Sequence, residues 1–246
     1  MDKIKMVSEI GGSLISSVIS VLGGDVASLL LSSAVEPVVR YGFENMLNII
    51  SKKDMTQREC QRLGVSYRAA VSKINENIAQ GLPLRSDDMF SRDKSGYAKA
   101  DDIIEGVLKD SINDTEHKKS IYYGYFVANL AFAPEIGYGT AIHIRKIVEG
   151  LTYYNLCGIK FLNTVGVINV DGIIRKEINI NNIKRLDVYH SMKELVRFDL
   201  IEKVPPYTLG EEIGNIKLGI LGNAIYKLLD LNDVNDTDLA DYYESV

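Results

Sequence analysis

A chain of 246 residues with a hydrophobic share of 46% and a charged share of 25% has the composition of an ordinary globular protein and enough material for one or two cores. Its net charge of −5 excludes a protein that coats nucleic acid nonspecifically, because that mode needs a surplus of Lys and Arg to neutralise phosphate. Two cysteines are too few for a disulfide framework, which points to a reducing, cytoplasmic setting.

Residues 1–53 form the first segment. Between positions 10 and 35 the only charge is Asp25. On a helix, Leu14, Ile15, Val18, Ile19 and Leu22 make an apolar face, while Gly12, Ser16, Ser20 and Gly24 recur at intervals of four. Such a small-residue ridge lets another helix backbone approach closely. Three readings follow: a core helix hairpin turning at Gly23-Gly24, self-association through the ridge, or membrane contact through residues 10–35. Membrane insertion is disfavoured, since an aspartate at the centre costs about 2.5 to 3.5 kcal/mol. Glu36-Pro37 opens a further helix with Val39, Phe43, Met46, Leu47 and Ile50 on its apolar face.

Residues 54–149 read as a helical domain. Thr56-Gln57-Arg58-Glu59 has the form of a capping box, and Cys60, Leu63, Tyr67, Val71, Ile74 and Ile78 follow at helical steps to Gly81. Leu82-Pro83-Leu84 and the charged loop through Arg92 predict a break between subdomains. One long helical pattern covers 97–132, carried by Ile103, Ile104, Val107, Leu108, Ile112, Ile121, Tyr122, Tyr125, Phe126 and Leu130. Asn113-Asp114-Thr115 kinks or divides it, and Ala133-Pro134 ends it. A short helix over 137–149 completes the region.

Residues 150–231 read as a small α+β domain. Thr152 caps a helix over 153–163, and Asp171-Gly172 predicts a hairpin turn within 165–183. A helix over 184–200 carries Leu186, Tyr189, Met192, Leu195 and Val196. Leu200–Val204 then reads as a strand stopped by Pro205-Pro206, and Asn215–Leu218 as its return. A helix from Gly219 to Leu231 has the stripe Leu221, Ile225, Leu228 and Leu229. This order is winged-helix-like, although the helix a winged helix places between its first and recognition helices is not legible. Residues 232–246 read as an acidic tail, solvated and poorly ordered. The fold class expected is mainly α, with a helical N-terminal and middle region and a small winged-helix-like C-terminal domain.

The chain resembles a large group of uncharacterised bacterial proteins that combine a small-residue-rich N-terminus, a helical middle and a winged-helix-like end. The resemblance is carried by Thr56-Gln57-Arg58-Glu59 with Arg62-Leu63-Gly64, by Asp102–Leu108, by Val127–Phe132 and by Leu151–Cys157. It implies a shared fold and an association with prophage and defence gene clusters, and it implies no activity.

No phosphate loop, dinucleotide fingerprint, HExxH or paired CxxC occurs, and His117, His143 and His190 do not fall at metal-ligand spacing, so no cofactor or metal is expected. Arg185-Leu-Asp-Val-Tyr-His190 matches the R-x4-H spacing of HEPN-type ribonucleases, in which the histidine would act as general base and the arginine would steady phosphate. Lys184, Arg185, His190, Lys193 and Arg197 are the candidate nucleic-acid contacts. Against them, residues 151–231 carry ten basic and nine acidic side chains, where a DNA-binding module shows a clear basic footprint. The leading expectation is a non-enzymatic interaction protein, homo-oligomeric through Gly12, Ser16, Ser20 and Gly24 or bound to a protein partner. A DNA-binding regulator is second and the ribonuclease third.

Overall fold

A computed structural model of the chain describes residues 49, 55–175, 183–206, 210 and 212–245. The N-terminal apolar segment with Gly12, Ser16, Ser20 and Gly24, and (but for Ile49) the helix expected from Glu36, lie outside the described residues. Among the described residues no helix is long and apolar enough to cross a membrane. The chain is mainly helical, with one small antiparallel sheet among the described residues, and divides into two compact units, Met1–Glu149 and Gly150–Val246.

Among the described residues of the first unit is α1 (Gln57–Ala79), opened by the expected capping box. Thr56 N–H donates to the Glu59 carboxylate at 2.7 Å, and Glu59 N–H donates to Thr56 Oγ1 at 3.3 Å. The long pattern over 97–132 is two helices, α2 (Lys99–Asn113) and α3 (Lys119–Leu130). Asp114 divides them: its backbone is extended and its carboxylate accepts the Glu116 N–H at 2.8 Å, a local turn that competes with the helix. The restart shifts the phase of α3, so Tyr123 and Val127 join Tyr122, Phe126 and Leu130 in the core. Ile121 stays exposed and Tyr125 half-buried.

The segment after α1 is not the subdomain break its composition predicted. Met89 is buried, and Arg85, with a side chain 1% exposed, donates to the carbonyls of Leu130, Ala133 and Ile136, each at 3.1 Å. It thereby ties together carbonyls at and beyond the end of α3, where the regular helical ladder stops. α1 and α3 pack closely at Gly124, where a Cβ would lie 2.2 Å from the Ser66 carbonyl oxygen. Ser66 Oγ also meets Ser111 Oγ at 2.5 Å and donates to Ser120 O at 2.6 Å. α4 (Tyr138–Gly150) is joined to α2 by the Arg145–Asp110 pair, bidentate at 2.6 and 2.7 Å.

The second unit runs α5 (Tyr153–Val165), β1 (Ile168–Asn169), α6 (Val170–Arg175), α7 (Ile183–Arg197), β2 (Ile201–Lys203), β3 (Asn215–Leu218) and α8 (Ile220–Leu228). Two 3-10 turns, Leu231–Asp233 and Asp236–Leu239, then lead to α9 (Ala240–Ser245). The sheet order is β1-β3-β2, all antiparallel, with Ile168 opposite Ile216 and Ile201 opposite Leu218. Asp171-Gly172 forms no hairpin. It lies in α6, because Asn169 Oδ1 accepts the Gly172 N–H at 2.7 Å, three residues on, in the manner of a helix cap.

Nor is the acidic C-terminus a solvated tail. Leu231, Val234, Leu239 and Tyr242 are buried, which offsets the charge of the segment. Lys160 Nζ holds the segment by the Asn232 carbonyl (3.1 Å), the Val234 carbonyl (2.5 Å) and the Asp236 carboxylate (2.8 Å). Tyr153 Oη donates to Asp238 at 2.7 Å. Below them runs a polar chain in which Asn155 Nδ2 donates to Ser191 Oγ at 3.0 Å. Ser191 Oγ meets Tyr242 Oη at 2.7 Å, and Tyr242 Oη donates to Tyr154 O at 2.8 Å.

Candidate interaction face on helix α7

α7 buries Val188, Tyr189, Ser191, Met192 and Leu195. Residues 186, 190, 193 and 197 recur at steps of four, three and four, so Leu186, His190, Lys193 and Arg197 share the opposite, outward face. Leu186 and Lys193 are half-buried there, and His190 and Arg197 are exposed. Val196, assigned to the apolar stripe from spacing, is 37% exposed, and Val188 takes the core position instead.

The cations on and around this face are held by carboxylates of the same chain. Lys193 pairs with Glu212, whose other oxygen accepts the Tyr189 hydroxyl at 2.6 Å. Arg197 pairs with Glu194 and lies 4.6 Å from the Phe198 ring centroid. Lys184 meets Asp241 of α9 at 2.7 Å, and Lys217 of β3 meets Glu202 of β2 at 3.1 Å. The hydrogen bonds from Lys193 and then Tyr189 hold the Glu212 carboxyl below its ordinary value. The bond to Glu212 raises Lys193, and the bond to Asp241 raises Lys184. Glu212, Lys193 and Lys184 therefore stay charged near neutral pH.

Glu212 is itself fixed from below. The Asp171 carboxylate accepts three successive main-chain N–H groups, from Glu212 (3.1 Å), Ile213 (3.1 Å) and Gly214 (2.5 Å). Lys203 Nζ donates to the Glu212 carbonyl at 3.1 Å. The segment entering β3 is therefore clasped between α6, β2 and α7. Sequence reasoning missed Asp171, Glu212 and Asp241. No local spacing signals a bond between residues 19 to 57 positions apart, and only the cap-like Asn169–Gly172 signal was there to be read.

Arg185 and His190 are not brought together by the helix. Residues five apart on a continuous α-helix lie roughly 140° apart around its axis. Arg185 is half-buried and His190 is exposed against the Tyr189 ring. His117 and His143 are exposed on the first unit, and Cys60 and Cys157 are buried, with burial pushing the Cys60 thiol up. Among the described residues no group of three or more His, Cys, Asp or Glu side chains is placed to hold a metal ion. No family model, curated protein or solved structure matches the chain.

Proposed function

We propose that this chain is a non-enzymatic, self-associating interaction protein of a bacterial phage-defence or mobile-element system, and that its second unit is a winged helix built for contact with a protein. The order α5-β1-α6-α7-β2-β3 with strand order β1-β3-β2 supports the winged-helix reading, with α7 as the helix that other winged helices lay in a groove. α6 supplies the helix that composition did not reveal.

The observation that carries the choice of partner is the pairing of Lys184, Lys193, Arg197 and Lys217 with carboxylates of the same chain. Binding to a polyanion releases counterions in proportion to free cations, and a self-neutralised face has few to offer. A DNA-binding regulator is the second reading, favoured by His190, Lys193 and Arg197 sharing one outward face. Titrating a labelled DNA duplex at low and then raised salt separates the two. The interaction reading predicts no saturable binding. Affinity that falls with salt and weakens in Lys193→Gln and Arg197→Gln would establish the DNA reading instead. The R-x4-H ribonuclease ranks third, because Arg185 and His190 both lie on α7, inside the proposed winged helix.

A further inference from the structure

We draw no further inference here: the strongest candidate, the exposed apolar surface patch of Val165, Val167 and Ile220 where the link from α5 to β1 runs beside the turn from β3 into α8, carries none because nothing in the structure shows what covers it.

Discussion

Asp114 shows at a single residue how charge is managed in the first unit. Burial works against its ionised form, but Lys119 at 2.6 Å, the Glu116 N–H and the Tyr123 hydroxyl at 2.8 Å outweigh burial, and its carboxyl is held below the ordinary 3.8. The Lys119 side chain is only 2% exposed, so the pair is not screened as a surface bridge would be. A carboxyl whose folded-state value is depressed stabilises the fold above the unfolded value and loses that contribution as pH falls through the folded one. Unfolding midpoints should therefore be flat above the ordinary carboxylate value and drop below it. Asp114→Ala should lower stability at neutral pH by about 3 kcal/mol and flatten the acid limb. Asp101 has the opposite sign: burial raises its carboxyl, so its protonation favours the folded state and partly offsets the loss. An acid limb unchanged in Asp114→Ala would contradict this account. The sequence marked Asn113-Asp114-Thr115 as an interruption, but not Lys119 and Tyr123 as partners of Asp114, because a buried ion pair leaves no periodic trace.

The elements that could be read from sequence were those whose signals are local. The Thr56 and Thr152 caps, the helical steps of α1 and the strand pair after α7 depend on neighbours within a few residues. Reading failed where burial overrode composition. Residues 231–245 carry acidic side chains at high density, yet Leu231, Val234, Leu239 and Tyr242 among them are buried, and the segment is built of two 3-10 turns and the short α9. Tyr242 joins this segment to α5 and α7: it stacks on Tyr154 at 4.8 Å and lies 5.3 Å from the Phe161 ring, and its hydroxyl bridges Ser191 and the Tyr154 carbonyl. Tyr242→Phe should cost about 1 to 2 kcal/mol through loss of the buried hydrogen bonds from its hydroxyl to Ser191 and the Tyr154 carbonyl. Tyr242→Ala should cost about 3 to 5 kcal/mol through the cavity as well. Denaturant midpoints check both. If the segment were a solvated tail, neither variant would differ from wild type by more than about 0.5 kcal/mol.

For the whole molecule, the net charge of −5 and the near balance over residues 151–231 already weighed against a nucleic-acid coat. Sequence could not show that the balance is local, with individual cations of the second unit held by carboxylates on other elements. Those partners meet only once the chain has folded. The same limit applies to function. The ridge of Gly12, Ser16, Ser20 and Gly24 was legible as a repeat of small residues at intervals of four, while its use depends on a second surface. The central claim, that this is a self-associating interaction protein, is tested most directly by light scattering after size exclusion, with the wild type run beside Gly12→Leu/Ser16→Leu. The account predicts a wild-type mass that is a multiple of 27.4 kDa and a variant that falls to the single-chain value. A wild-type chain that elutes as a 27.4 kDa monomer would contradict it.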